Sequence, residues 1–235
     1  MIAIISSTLI PYAPSYFTNQ ERLEQTIHTI NKLSEKGFKQ IFLFDNSVNE
    51  INMDWIQSRT KQDINIFYAR QYGFENKGLN EALLILNNLH RIPEDEYVFK
   101  ISGRYYPNEA FNISEMIEKI TDKEILGYCI NMDADFPFFS TRSYLVKNKK
   151  ALESILKLAV EEMIGYGRSC NSIRNLVSLM KSIFYKNIVV GTPFTLSLEQ
   201  SFGRILKFKK NYQLAESMNI EGFVAGSDKL DFISE

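Results

Sequence analysis

The sequence of 235 residues predicts an α/β fold in which helices flank a mostly parallel, doubly wound sheet and a mainly helical part follows. Three observations predict it. Short apolar segments alternate with helical patterns in the order βαβαβαβαβ up to residue 131, which is typical of a parallel sheet. Several of these segments are apolar on both faces, as strands buried between two helix layers are. Beyond residue 131 the alternation ends and helical spacing dominates.

The elements of the first part can be placed in order. Strands are predicted at 2–8, 40–45, 64–69, 97–101 and 125–131, and helices at 20–36, 53–60, 79–89 and 109–120. The first helix has the clearest pattern, because its apolar residues recur at helical spacing and Gly37 supplies a stop. Those residues are Leu23, Ile27, Ile30 and Leu33.

The second part predicts helices over about 147–165, 170–185 and 195–208 and a short strand at 220–225. Before them, residues 136–142 are predicted as an aromatic loop or an edge strand. Because neither an internal repeat nor a low-complexity linker separates the two parts, we expect residues 1–131 and 132–235 to belong to one domain.

The composition excludes several classes of protein. A formal net charge of −1 provides no field for nucleic acid, so we expect no nucleic-acid partner. Cys129 and Cys170 have neither metal-ligand spacing nor a disulfide framework, which suits a reducing cytosol. The apolar N-terminus is too short for a signal peptide, and no run reaches membrane-spanning length. We expect at most a peripheral membrane contact through the basic and aromatic stretch 207–212, which is more simply a solvated helix end.

Polar residues follow four apolar segments at the points where the predicted strands end. Because the carboxyl ends of parallel strands meet at the edge of a sheet where ligands bind, we expect these residues to converge. Arg104 would add a fixed charge suited to phosphate, and a helix beginning near Lys77 would add free N–H groups. The residues are Ser6, Ser7, Thr8, Asp45, Asn46, Ser47, Asn76, Lys77, Gly78, Ser102, Gly103 and Arg104.

Each of these groups also has a simpler structural interpretation. Asp45-Asn46-Ser47 is typical of a plain turn, and Asn76-Lys77-Gly78 of an ordinary helix entry. Arg104 could pack on the two tyrosines that follow it. Asp133 and Asp135 have the appearance of a carboxylate pair for Mg²⁺ or Mn²⁺, but they also suit a solvated loop.

Three segments together resemble the bacterial glycosyltransferases of the GT-A type, above all those that build O-antigen, capsule and lipooligosaccharide. The segments are Asp45-Asn46-Ser47, Asn76-Lys77-Gly78-Leu79-Asn80-Glu81-Ala82 and Lys100-Ile101-Ser102-Gly103-Arg104-Tyr105. The last segment is the most specific. The resemblance covers the first 145 residues well and the remainder loosely.

The resemblance implies a GT-A-like, Rossmann-related fold and a transferase of the EC 2.4 class. It also implies that residues 1–131 bind a nucleotide-sugar donor and that residues 132–235 shape the site of a glycan or lipid-linked glycan acceptor. Such an enzyme would act in the cytoplasm or at the inner face of its membrane. The donor-binding residues expected from the resemblance and the strand ends are Ser6, Thr8, Asp45, Asn46, Lys77, Gly78, Ser102, Gly103, Arg104 and Arg142.

The sequence departs from the GT-A pattern at the end of the fourth strand. Relatives usually carry an Asp-x-Asp there, which holds a divalent metal against the donor diphosphate, whereas this chain reads Ser102-Gly103-Arg104. Either Arg104 replaces the metal with the help of two other cations, or a later carboxylate pair holds it. The cations are Lys77 and Arg142, and the pair is Asp133 and Asp135. We favour the first, because an arginine repels a divalent cation and hard cations need several oxygen ligands.

In an inverting reaction a carboxylate would take the proton from the acceptor hydroxyl. The candidates are Asp133, Asp135, Glu199 and Glu221. We favour the two aspartates, because they follow the fifth strand at the same edge as Arg104. A retaining reaction would need no strong base, and either outcome fits the sequence.

Two alternative functions fit parts of the sequence. A sugar nucleotidyltransferase shares the layout, but such enzymes usually have a Gly-rich loop with a basic residue after the first strand, where this chain reads Ser6-Ser7-Thr8-Leu9-Ile10-Pro11. A non-catalytic nucleotide- or glycan-binding module of a polysaccharide assembly complex would explain the missing Asp-x-Asp.

Overall fold

The protein is described from a computed structural model, which covers residues 1–12, 15–70, 74, 76–135, 137–168, 172–173, 176–177, 196–226 and 229–235. Of the helix predicted at 170–185, only residues 172–173 and 176–177 are among them, so this prediction lies mostly outside the described residues. Phe136 and Cys170 also lie outside the described residues.

The predicted strands and helices of the first part are confirmed, with boundaries that shift by a few residues. The strands are β1 (Ile2–Ser7), β2 (Gln40–Asp45), β3 (Asn65–Tyr68), β4 (Val98–Ser102), β5 (Tyr105–Pro107) and β6 (Ile125–Ile130). The helices are α1 (Asn19–Glu35), α2 (Met53–Gln57), α3 (Lys77–Asn88) and α4 (Ile113–Ile120), with a short 3₁₀ turn at Leu89–Arg91. The strand β5 was not predicted.

The second part contains two of the three predicted helices and more strand than its sequence indicated. Its elements are β7 (Phe138–Val146), α5 (Lys149–Arg168), α6 (Leu198–Lys209), β8 (Tyr212–Leu214), β9 (Ile220–Gly226) and β10 (Lys229–Ser234). The segment 136–142, predicted as an aromatic loop or an edge strand, enters the first part of β7 and pairs there with β6 at Phe138 and Phe139, whereas β4 pairs with residues 143–146 beyond that segment.

A seven-stranded sheet of order β3-β2-β1-β4-β7-β6-β8 forms the centre of the described molecule. Strands β1 to β4, β6 and β8 run in one direction and β7 runs against its two neighbours. The predicted, mostly parallel sheet is therefore confirmed. The chain runs outward from β1 to β3 and then returns to β4 on the other side of β1, so the strand order reverses between β1 and β4.

Both faces of this sheet are buried. Alternate residues of β1 contribute to different core clusters, since Ile2 and Ile4 pack with α3, α5 and α6, whereas Ala3 and Ile5 pack with α1 and α4. Side chains of a strand alternate between the two faces of the sheet, and a strand covered on both faces must be apolar throughout. This is why the sequence of β1 shows a continuous apolar run.

Strand β7 contains an irregularity beside the central strands. Tyr144 pairs with Gly127 and Phe139 pairs with Cys129, so the four residues 140–143 of β7 face the single residue Tyr128 of β6. A bulge of this kind redirects side chains. It places Thr141 against α6 and Arg142 against the small antiparallel sheet β10-β9-β5.

Candidate functional site

The candidate site lies at the carboxyl ends of β1 and β4, where the strand order reverses. In open α/β sheets, ligands bind outside the carboxyl ends of the strands at the point where the strand order reverses. Three of the four strand ends expected to converge meet here: Gly103 N donates to Ser6 O (2.9 Å) and Asn46 N donates to Ser7 O (3.1 Å). The residues that follow three strands thus meet at this rim.

Asp45 holds the rim together from inside. It is 0 % exposed, and its two carboxylate oxygens accept the backbone N–H groups of Leu9 (3.0 Å) and Ser47 (2.9 Å). Burial raises the pKa of Asp45, against the effect of these hydrogen bonds. The carboxylate thus ties two loops together, and the expected contact of Asp45 with the nucleotide sugar stays a prediction.

Two further residues that were predicted to contact the nucleotide sugar make hydrogen bonds within the rim instead. The Thr8 hydroxyl donates to the side-chain oxygen of Asn46, and Asn46 is itself buried. The Ser6 hydroxyl donates to Glu81 Oε1 (2.6 Å). These residues form the floor of the rim, and their contacts to a donor remain predictions.

The turn that carries Arg104 is fixed by α1. Thr26 Oγ1 donates to Gly103 O (3.0 Å) and Thr29 Oγ1 donates to Tyr105 O (2.8 Å). Gly103 leaves room for this contact, since a Cβ atom there would come within 2.9 Å of Thr26 Oγ1. The backbone on both sides of Arg104 is therefore held rigidly, and the Arg104 side chain is half-buried.

Arg22 is a second cation at this rim, and it lies outside the motifs that predicted the site. Its Nε donates to Thr8 O (2.7 Å) and its Nη1 donates to Ser15 Oγ (2.9 Å). Burial and then the positive charge of Arg104 lower the pKa of Arg22 to about 10, although Asp45 opposes the shift. The helical spacing of residues 22, 26 and 29 could have indicated this position, because it puts them on one face of α1.

A buried polar network lies beneath the rim, and the sequence analysis missed it as well. Lys100 is 0 % exposed, and its ammonium contacts the Glu81 carboxylate, Thr141 O and Ser102 Oγ, the last at 3.0 Å. Buried charges require such partners. The ion pair between Lys100 and Glu81 links β4 to α3. Ser102 accepts a hydrogen bond from Lys100, and its contact with the nucleotide sugar stays a prediction.

Glu199 continues the network on α6. Its Oε1 accepts a hydrogen bond from Thr141 Oγ1 (2.9 Å), so the carboxylate lies beside the strand that borders β4. Glu221 lies elsewhere, because it faces Tyr106 across the small sheet. Burial and then Glu221 raise the pKa of Tyr106. The four candidate bases are thus distributed over three places.

Asp133 and Asp135 occupy the exposed turn between β6 and β7, at the same edge of the sheet. Lys207 Nζ donates to the backbone oxygens of Asp133 (3.1 Å) and Ala134 (2.9 Å), which fixes the turn to α6. Among the residues that the structure describes, no group of three or more His, Cys, Asp or Glu side chains could hold a metal ion. The aspartate pair supplies two carboxylates, and its role as a Mg²⁺ or Mn²⁺ site stays a prediction.

The other two cations predicted for the site, Arg142 and Lys77, differ in whether a carboxylate pairs with them. Arg142 Nη1 bonds Glu235 Oε2 (2.6 Å), and its guanidinium lies 5.8 Å from the centre of the Tyr105 ring. Burial opposes the charge of Arg142, but the bond to Glu235 prevails and raises its pKa. Glu235 thus neutralises Arg142 in this arrangement, and the contact of Arg142 with the donor stays a prediction. Lys77 is the exposed first residue of α3.

Gly78 is explained by packing. A Cβ atom at Gly78 would lie 2.6 Å from Leu198 Cβ, so the glycine allows α3 and α6 to approach closely. Asn76 caps α3 by accepting Leu79 N (3.1 Å) and also donates to Leu196 O (2.9 Å). The role of Gly78 as a donor contact stays a prediction.

No protein-family model matches the sequence, and no curated protein matches it significantly. Solved structures do match. An active-site mutant of LgtC superposes with a TM-score of 0.56 at 10 % identity over 92 % of this chain and 72 % of LgtC. The galactosyltransferase LgtC in complex with donor and acceptor sugar analogues gives a TM-score of 0.52 at 10 % identity, over 92 % and 73 %.

The bifunctional glycosyltransferase WbbM gives a TM-score of 0.50 at 9 % identity, over 91 % of this chain and 38 % of WbbM. At such identities the similarity shows the fold, and the chain has the mixed α/β fold of the GT-A glycosyltransferases. Within the described residues, no helix combines the length and the apolar character that crossing a bilayer requires.

Proposed function

We propose that the protein is a glycosyltransferase of the EC 2.4 class, which moves a sugar from a nucleotide-sugar donor to a glycan or lipid-linked glycan acceptor in bacterial surface-polysaccharide synthesis. The observation that carries the proposal is Arg104, a rigidly held cation at the reversal of strand order in a GT-A fold. No carboxylate among the described residues lies within ion-pair distance of it. A cation in a crevice that binds ligands suits an anionic group such as a diphosphate.

In the proposed reaction the bond between the anomeric carbon and the phosphate oxygen breaks, and the nucleoside diphosphate leaves with the bonding electrons. Positive charge held in place before the reaction stabilises that leaving group in the transition state. Arg104 supplies it, with Lys77 at the exposed start of α3 as a further cation.

We propose Glu199 as the carboxylate that takes the proton of the acceptor hydroxyl if the reaction inverts the anomeric configuration. Two observations support it over the aspartates that the sequence favoured. Glu199 is half-buried and held by Thr141, next to the network under the rim. Asp133 and Asp135 are exposed. A base must be held at hydrogen-bond distance from the proton it removes, which an anchored side chain achieves more readily.

We further propose that the reaction takes place in the cytoplasm, at the inner face of the membrane. Support comes from the end of α6, where Phe208 is 81 % exposed between Lys207 and Lys209. An exposed aromatic ring between lysines suits contact with anionic headgroups.

A thermal-shift screen tests the function directly. Nucleoside diphosphates and sugar nucleotides are added singly, with and without a chelator, and the midpoint of unfolding is measured. Ligands that bind only the folded protein raise the midpoint by mass action. We expect one nucleotide series to raise it, and the chelator to leave the effect unchanged. Loss of the shift with chelator would support a metal, and no shift with any nucleotide would overturn the proposal.

The sugar nucleotide that binds is then supplied with a panel of glycan acceptors. We expect transfer of the sugar, and we expect Arg104→Ala to lower turnover by about 10²–10³-fold, the typical loss when one group that stabilises the leaving charge is removed. Arg59→Ala is the matched control, because Arg59 pairs with Glu24 (2.5 Å) away from the rim. Near-normal turnover of Arg104→Ala would refute the role of Arg104. Pyrophosphate release from a nucleoside triphosphate would indicate a nucleotidyltransferase, and saturable binding without transfer a binding module.

A further inference from the structure

Arg22 and Arg104 both lie at the rim, near enough for the charge of Arg104 to lower the pKa of Arg22. Arg22 shares one face of α1 with Thr26 and Thr29, whose hydroxyls bond Gly103 O (3.0 Å) and Tyr105 O (2.8 Å) on either side of Arg104. One turn earlier on the same face, Arg22 reaches the end of β1 through its bond to Thr8 O (2.7 Å). The helix therefore brings its arginine to the junction of β1 and the turn after β4.

The charge of Arg22 is not neutralised. Its described hydrogen bonds go to a carbonyl and to a hydroxyl, both uncharged, and its Nη2 makes none. Asp45 is near enough to influence it, but the Asp45 oxygens accept the N–H groups of Leu9 and Ser47. Among the described residues, no carboxylate lies within ion-pair distance of Arg22 or Arg104.

Three other arginines among the described residues are paired with carboxylates. Their carboxylate partners lie within hydrogen-bond distance: Arg59 with Glu24 (2.5 Å), Arg142 with Glu235 (2.6 Å) and Arg204 with Glu162 (2.6 Å). Two adjacent, half-buried guanidinium groups without such partners repel each other and lose part of their hydration. A bound anion between them removes both costs, and two forks suit the two phosphates of a diphosphate.

We propose that Arg22 is a second diphosphate-binding residue, which acts together with Arg104 on the leaving group of the donor. This inference rests on the proposed function and adds to it a residue of α1, a helix outside the motifs of the strand ends. The rigid bonds to Thr8 and Ser15 hold the Arg22 guanidinium before the ligand arrives, so little conformational freedom is lost on binding.

Binding of inorganic pyrophosphate tests the inference without knowledge of the base or the sugar. Isothermal titration is carried out on the full chain in the presence of a chelator, with Arg22→Gln, Arg104→Gln and Arg59→Gln. We expect the dissociation constant to rise by about 10- to 100-fold in each of the first two variants, the range of one charge-assisted hydrogen bond. Arg59→Gln should bind like the unaltered chain.

The variant Arg22→Lys and thermal unfolding of each variant distinguish a lost phosphate contact from a misfolded protein. Lysine keeps the charge but lacks the fork, so we expect a loss intermediate between the unaltered chain and Arg22→Gln, at an unchanged unfolding midpoint. Normal pyrophosphate affinity in Arg22→Gln, together with a loss in Arg104→Gln, would overturn this inference and leave the proposed function intact. Normal affinity in both variants, or no pyrophosphate binding by the unaltered chain, would overturn both.

Discussion

Glu199 is tied to the buried network more closely than the other candidate bases. It accepts the Thr141 hydroxyl (2.9 Å), and the carbonyl of Thr141 accepts the ammonium of Lys100. We predict that Glu199→Gln lowers kcat by about 10²–10⁴-fold, because an amide keeps the shape but cannot take a proton. Donor affinity, measured by titration with the nucleotide, should stay within about twofold, since the deprotonation step follows binding.

Asp135→Asn is the matched comparison for this prediction. Asp135 is exposed in the β6–β7 turn, and we expect its amide variant to keep both transfer and donor binding. An inactive Asp135→Asn enzyme that still binds the donor would move the base to that turn, as the sequence first indicated. Loss of donor binding in Asp135→Asn would instead indicate a metal ligand.

Local sequence could not predict which cations at the rim lack a carboxylate partner. Arg104 and Arg142 were both expected to contact the donor, yet Arg142 pairs with Glu235, 93 positions later in the chain. A pairing over that separation leaves no local pattern. The motif after β4 predicted the right kind of residue at the right strand end, whereas Arg22 and Lys100 acquire their positions only when α1 and α3 dock on the sheet.

At the scale of elements, β9 approaches the site closely at Gly222. A Cβ atom there would overlap Arg104 O and would lie 2.9 Å from Tyr105 Cα. We predict that Gly222→Ala lowers the free energy of unfolding by about 1–3 kcal/mol, the usual cost of overpacking. Because the strand must then move away from the turn that carries Arg104, we also expect weaker pyrophosphate binding. Urea titration and isothermal titration measure the two effects.

Gly165→Ala is the control for Gly222→Ala. Gly165 lies in α5, and a Cβ atom there would have nothing within 4 Å. Alanine should stabilise the chain by about 0.5–1 kcal/mol, because glycine is the poorer helix former, and should not affect pyrophosphate binding. A destabilised Gly222→Ala protein that binds pyrophosphate normally would show that β9 does not position Arg104.

Strand β7 shows why elements of the second part were harder to predict than those of the first. Strand β1 is apolar throughout, so its local pattern matches its buried position. In β7 four residues face one residue of β6, and the polar run Ser140-Thr141-Arg142-Ser143 coincides with that bulge. The alternation that normally reveals a strand fails there. The partner strands, which are β4 and β6, decide the structure of this segment.

At the scale of the whole molecule, the two parts share one sheet and one buried network. Strand β7 of the second part lies between β4 and β6 of the first. The network joins Glu81 and Lys100 of the first part to Thr141 and Glu199 of the second. Separating the parts would expose an interior edge of the sheet and would expose the ion pair between Lys100 and Glu81 to solvent. Both changes raise the free energy of the separated parts.

We therefore predict that residues 1–131 and 132–235 unfold in one cooperative transition. Two reporters in urea test this: Trp55 in α2, the single tryptophan of the chain, and a variant in which Trp55→Phe is combined with Tyr212→Trp in β8. Fluorescence from each position should change at the same urea concentration as the far-UV circular dichroism, as expected for an all-or-none transition. Two separated midpoints, one for each reporter, would show that the parts fold as independent domains, even though their strands alternate within the sheet.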